Sequence, residues 1–182
     1  MGALRGSLCL YQGEELGLPE ADIGLNDLQD PYGVEFWPEF KGRDGCRTPM
    51  VWDGTKQGGF TNGAPWLPVS KTHQKLSVEA QENDPSSILH HYRRVLSFRR
   101  SLPALRKGGQ MNMKVEGQVL RFSRVLDGQV VCCIFNLSDK PVPVLMPFGY
   151  WTHIGQNLGA AVSNSSGHMM LDPWQVSFAV KR

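Results

Sequence analysis

The chain has 182 residues, 41% of them hydrophobic, and a formal net charge of +2. That is enough for one domain or a small pair around a core, and too apolar for a disordered chain. Acids and bases are mixed throughout, and the one longer basic run, His90-His91-Tyr92-Arg93-Arg94, falls on a helical pattern, which sets nucleic acid aside.

No apolar stretch approaches the roughly 20 residues of a membrane helix. Residues 1–10 carry no signal-peptide pattern. The four cysteines, Cys9, Cys46, Cys132 and Cys133, form no CxxC pair and read as free thiols in a reducing compartment, so a cytoplasmic protein is expected. No zinc spacing and no calcium-loop spacing occurs, and neither a metal nor another cofactor is expected.

In chain order, Ser7-Leu8-Cys9-Leu10-Tyr11 is a short, continuous apolar run, the pattern of a strand covered on both faces in a parallel sheet. Gln12-Gly13-Glu14-Glu15-Leu16-Gly17 reads as its exit loop, the catalytic side of an α/β barrel. Residues 20–80 are loop-rich, punctuated by Pro and Gly, and so long an excursion implies a function. Its aromatics, Tyr32, Phe36, Trp37, Phe40, Trp52, Phe60 and Trp66, are expected to form a local mini-core. One or two of them would suit sugar stacking.

At the centre of this excursion lies Gly42-Arg43-Asp44-Gly45-Cys46-Arg47-Thr48-Pro49-Met50-Val51-Trp52-Asp53. Two arginines and two aspartates are interleaved with residues that forbid a regular helix. Such a loop either presents groups to a ligand or locks a scaffold. Arg47 and Asp53 read as internal pairs of the lock.

A helix is expected over 84–102, with Asp84 as N-cap, Pro85 at the first position and Pro103 closing it. His90 and His91 diverge around that helix and cannot share a metal. Gly108-Gly109 reads as a linker. From about residue 111 the period changes to two. Strands are expected at 119–125, 129–137, 141–146, 150–154, 169–171 and 176–180, with Asp127-Gly128 as a hairpin turn. Short antiparallel strands separated by turns imply a small β-sandwich.

The words Tyr11-Gln12-Gly13-Glu14-Glu15-Leu16-Gly17, Gly42 to Asp53 and Gly59-Phe60-Thr61-Asn62-Gly63-Ala64-Pro65-Trp66, with the helix-plus-sandwich ending, resemble the C-terminal part of an α-glucosidase. The resemblance is to the α-amylase superfamily (glycoside hydrolase family 13), close to the oligo-1,6-glucosidase type. It implies an α/β plus all-β chain: the end of a (β/α)8 TIM barrel followed by a small antiparallel β-sandwich. Residues 1–6 would end the preceding helix, 7–11 would be the eighth strand, 20–80 the long eighth loop and 84–102 the eighth helix. The implied domains are 1–107, the barrel part, and 108–182, the sandwich.

Family members are retaining glycosidases that use a carboxylate nucleophile and a carboxylic acid about 5 Å apart. The resemblance places those acids and a third, stabilising acid on the fourth, fifth and seventh strands. No residue of this chain matches them, so no catalytic residue is expected here. Glu14 and Glu15 are expected to support the loop. Arg43 matches the arginine that helps hold the terminal glucose, its rigid donor fork suiting hydroxyl and carboxylate oxygens. Asp30 aligns with an acid lining the neighbouring subsite.

The implied ligand is an α-glucoside oligosaccharide, and the chain alone is expected to be inactive. The other reading is a non-enzymatic carbohydrate-binding or structural module. Leu4-Arg5-Gly6-Ser7 reads as a chain in mid-course, so a preceding barrel portion is expected, or else self-association through exposed edges.

Overall fold

The computed structural model describes residues 2–181, in two compact units: Met1–Leu8 with Arg93–Arg182, and Cys9–Tyr92. The first unit is built on a five-stranded antiparallel sheet. Its strands are β1 (Gly109–Glu116), β2 (Val119–Leu126), β3 (Gln129–Asn136), β5 (Trp151–Ile154) and β7 (Val176–Lys181), in the order β1-β2-β3-β7-β5. A second sheet pairs β4 (Val142–Leu145) with β6 (His168–Leu171). The expected strands from 119 onward are thus present, and β1 is an additional one.

Asp127 and Gly128 both take positive φ, 45° and 84°, so the β2–β3 hairpin turns as their chemistry predicts. β3 is buried on both faces. Val131 and Cys133 join Phe122, Leu105 and Phe178 in one cluster, while Cys132 and Ile134 join Val144, Met169 and Leu171 in the other. The adjacent cysteines therefore point to opposite faces, as strand geometry requires. Burial pushes the Cys132 thiol up to about 11 and the Cys133 thiol higher still, so neither is a ready thiolate.

The first cluster is closed by the end of α4 (Ile88–Ser101) and by α5 (Pro103–Lys107). The helix begins three residues later than Asp84 as N-cap would imply. The Asp84 carboxylate is engaged by the Ser86 amide at 2.8 Å and its hydroxyl at 2.6 Å, closing a turn. Ser87 then caps instead, accepting from the His90 amide at 3.3 Å. Pro103 does not simply stop the helix. It occupies the first turn of α5, where its missing N–H costs nothing. Gly108 is not a free linker either: it is buried, and a Cβ there would collide with the Ala104 and Val125 carbonyl oxygens.

Arg124 is the largest fully buried side chain. It donates from Nη1 to the Ala3 carbonyl (2.7 Å), from Nη2 to Gly108 (2.9 Å) and from Nε to Gly109 (3.4 Å). Arg99 donates to the carbonyls of Gly2, Leu4 and Gly6. Residues 2–6 are thereby tied down as turns and bends rather than as the end of a helix. Residues 7–11 form no ladder among the described residues, and Tyr11 stays exposed. A parallel strand exists only through its neighbours, and none pairs with this run.

The second unit has little regular structure beyond α1 (Pro31–Glu35), α2 (Lys71–Gln74), α3 (Val78–Glu82) and the first residues of α4. Its cores are aliphatic: Leu16, Val51 and Leu89 in one, Ala21, Ile23 and Leu28 in the other. Of the seven aromatics, only Trp37 packs against either core, and the other six are exposed. The expected aromatic mini-core is therefore absent among the described residues. Gln81 does much of the joining, donating to the Leu16 and Leu76 carbonyls and accepting from the Leu89 amide.

Candidate functional site

The loop Gly42–Asp53 is organised by a carboxylate the sequence did not single out. Asp44 is fully buried, and its Oδ2 accepts from the amides of Gln29 at 2.6 Å and Asp30 at 2.7 Å. These two amides would otherwise be orphaned where the chain turns into α1. Gly45 beside it packs so tightly on the Ala21 carbonyl and Glu20 that no Cβ fits, and its own carbonyl accepts from the Ala21 amide. A short residue run, aspartate then glycine, is the only local signal of this junction.

Asp30 sits directly on it. Its Oδ1 accepts from the Tyr32 amide at 3.1 Å, capping α1, with Pro31 at the first helical position. Its Oδ2 accepts from the Arg43 amide at 3.0 Å and lies 3.7 Å from Arg47 Nη1. The Arg43 amide, helped by the Tyr32 amide and the Arg47 charge, holds the Asp30 carboxyl below its ordinary value against the opposing effect of desolvation. Gly42 has φ of 71°, and a Cβ there would strike the Asp30 carboxylate.

Asp30 and Arg43 are thus brought together, but through the Arg43 backbone. The Arg43 side chain is exposed, and its guanidinium has no acceptor among the described residues. Arg47 behaves as a lock, reaching Asp30 at 3.7 Å and Asp44 Oδ1 at 3.9 Å. Asp53 does not. It accepts from the Thr55 amide and hydroxyl, which lower its pKa, and pairs with no cation among the described residues.

Glu15 Oε2 accepts from the Gly13 amide at 2.8 Å and so closes its own turn, in keeping with a supporting role. A cavity of about 190 Å³ lies between this turn and the Gly45–Met50 stretch, lined by Tyr11, Glu14, Glu20, Cys46 and Thr48 among others. Neither Arg43 nor Asp30 lines it. Across the loop, the buried His73 joins Thr48 Oγ1 at 3.3 Å to the Pro19 carbonyl at 2.7 Å. Among the described residues no cluster of three or more His, Cys, Asp or Glu could hold a metal.

Among the described residues the site therefore offers one uncommitted cation, Arg43, on a loop whose nearest carboxylates are already engaged. With the antiparallel module that follows, the chain has the fold of the C-terminal part of (β/α)8-barrel enzymes. The chain belongs to the α-amylase family, whose model, described as "Alpha amylase, catalytic domain", matches residues 1–108.

It is 52% identical over 145 residues to a probable α-glucosidase of Rhizobium meliloti, a match covering 80% of this chain and 26% of that protein. It is 28% identical over 163 residues to the oligo-1,6-glucosidase of Parageobacillus thermoglucosidasius, covering 79% and 29%. Among solved structures, one described as an α-glucosyl transfer enzyme superposes with a TM-score of 0.90 at 46% identity, over 100% of this chain and 34% of that one. The chain thus spans only about a quarter to a third of the length of these relatives.

Proposed function

We propose that this chain provides the substrate-side end of an α-glucosidase acting on terminal α-linked glucose, and that it does not itself break the glycosidic bond. The observation that carries this reading is the guanidinium of Arg43, exposed and, among the described residues, without an acceptor on a loop otherwise closed by internal bonds. Arg43 would hold a glucose unit through its donor fork. Asp30 would line the neighbouring subsite and set the Arg43 backbone, since its Oδ2 accepts from the Arg43 amide.

The only fully buried carboxylate of the loop, Asp44, is engaged with backbone amides, which leaves it unsuited to act as nucleophile or acid. This supports an inactive chain. In this reading residues 1–107 belong to the barrel and 108–182 form the terminal module, which accords with a family match ending at residue 108. The free thiols support a reducing, cytoplasmic setting.

Isothermal titration with maltose tests the proposal. Saturable binding that Arg43→Ala abolishes is the expected result, with no glucose released from maltose by the pure chain. Glucose release by this chain, or binding unchanged in Arg43→Ala, would overturn it. No heat with either protein would favour the alternative, a purely structural module.

A second reading concerns the acceptor. Because a relative at 46% identity is described as a glucosyl transfer enzyme, the intact protein would pass glucose to a sugar hydroxyl rather than to water. The product ratio with and without added acceptor sugar separates the two.

A further inference from the structure

The arginines that tie down residues 2–6 leave a charge problem. All six carbonyls bonded by Arg124 and Arg99 are neutral, so among the described residues these bonds cancel neither positive charge. Each guanidinium has five N–H donors, and three are engaged in each case. Both residues line one cavity of about 570 Å³, together with Arg5, Arg106 and Lys107. Among the described residues the rest of the lining is Gly6, Ser7, Leu8 and Gly108, with no carboxylate. Among the described residues none of the five cations forms an ion pair. Burial and the charges of Arg99 and Arg5 push the Arg124 pKa down, the mark of cations held close without compensation.

We propose that this cavity is a binding site for a small tetrahedral oxyanion, inorganic phosphate or the phosphate of a monoester. Several guanidinium forks and an ammonium around one space fit an anion with oxygens on every side, and a dianion cancels the repulsion among them. The buried Arg124 makes this a built site rather than a chance gathering of surface charge, because its fork is fixed by three carbonyls. Ser7 adds a hydroxyl donor to the same wall. Bound anion would hold residues 2–8 against the sheet, so occupancy would be visible as stability.

The test is isothermal titration and thermal melting of the 182-residue chain with inorganic phosphate, at ionic strength held constant with chloride. Saturable binding with a matching rise in melting temperature is expected. The variant Arg5→Gln/Lys107→Gln removes two side chains that make no hydrogen bond among the described residues, so folding is undisturbed. It should weaken phosphate binding by about tenfold or more, the worth of a charge-assisted hydrogen bond. Acetate is the carboxylate probe and should bind more weakly than phosphate. Phosphate acting no better than chloride, or binding equally well to the double variant, would overturn the site. Acetate matching phosphate would overturn the phosphate assignment in favour of a protein carboxylate.

Discussion

Replacing Asp44 tests whether the central loop is held by one buried carboxylate. Its Oδ2 accepts two amides, Gln29 at 2.6 Å and Asp30 at 2.7 Å, in a residue with no solvent exposure. A hydrogen bond to a charged group contributes about 1.5–3 kcal/mol net, and a buried amide left unpaired costs about as much. Asp44→Ala should therefore destabilise by about 3–5 kcal/mol. Asp44→Asn keeps an acceptor oxygen of the same shape and should cost only about 1–2 kcal/mol, the difference between charge-assisted and neutral bonds. Removing Arg47, which sits 3.9 Å from the other oxygen with a half-exposed side chain, should cost less than about 1 kcal/mol. Urea unfolding gives the stabilities, and hydrogen exchange gives the location. In Asp44→Ala the Gln29 and Asp30 amides should lose protection while those of β3 keep it. An Asp44→Ala protein as stable as the parent, with both amides still protected, would refute the reasoning.

Acid should weaken the fold in two windows. Burial holds the His153 pKa below its ordinary 6.5. The neutral ring is the form that accepts the Ser163 amide at Nε2, with Nδ1–H facing the Ser177 hydroxyl. Its contribution is complete above pH 6.5 and is lost as pH falls through the folded value, a step that His153→Gln should remove from a pH series of melts. Asp30, Asp53 and Asp84 all have carboxyls held below their ordinary 3.8, so their contributions persist above that pH and disappear beneath it. Phe122→Ala, at a buried position of the main cluster, should cost about 3–5 kcal/mol by urea unfolding, and a value under about 1 would place the core elsewhere. Self-association is expected from the exposed Tyr32, Phe36, Trp66, Phe148, Tyr150 and Trp174, and a strictly monomeric sedimentation profile would contradict it.

What could be read from the sequence was local. Asp127-Gly128 needs only its own φ preferences to make a hairpin, so the turn and its two strands were legible. The start of α4 was not, because Asp84 and Ser87 are both competent caps and the choice depends on which bonds its neighbour. Arg124 lies on the same face of β2 as Phe122, between apolar neighbours. A charged residue in an alternating strand reads as outward-facing. Only the carbonyls of Ala3, Gly108 and Gly109, two of them adjacent and one 121 positions away, make its burial tolerable. The run 7–11 has the composition of a covered strand, and composition cannot supply partners. The aromatics misled for a related reason: density in sequence implied mutual packing, whereas the loop closes on small aliphatic clusters and buried polar hubs.

The same distinction applies to the site. Arg43 stands out in the sequence because its surrounding word is distinctive, and its role remains a proposal; Asp44, one residue on, does not stand out, since nothing in its neighbours shows that two amides converge on it. That convergence ties the two expected substrate-side residues together. Asp44 fixes the Asp30 amide, Asp30 fixes the Arg43 amide, and the Arg43 side chain is what remains to reach outward. Any sugar hydroxyl approaching Asp30 competes with two amides and a nearby guanidinium already directed at it. Arg43 faces no such competition among the described residues. A role for Asp30 in recognition must then pass largely through the position it gives Arg43, and Asp30→Asn should weaken sugar binding less than Arg43→Ala, because the amide oxygen can still accept from the Arg43 backbone.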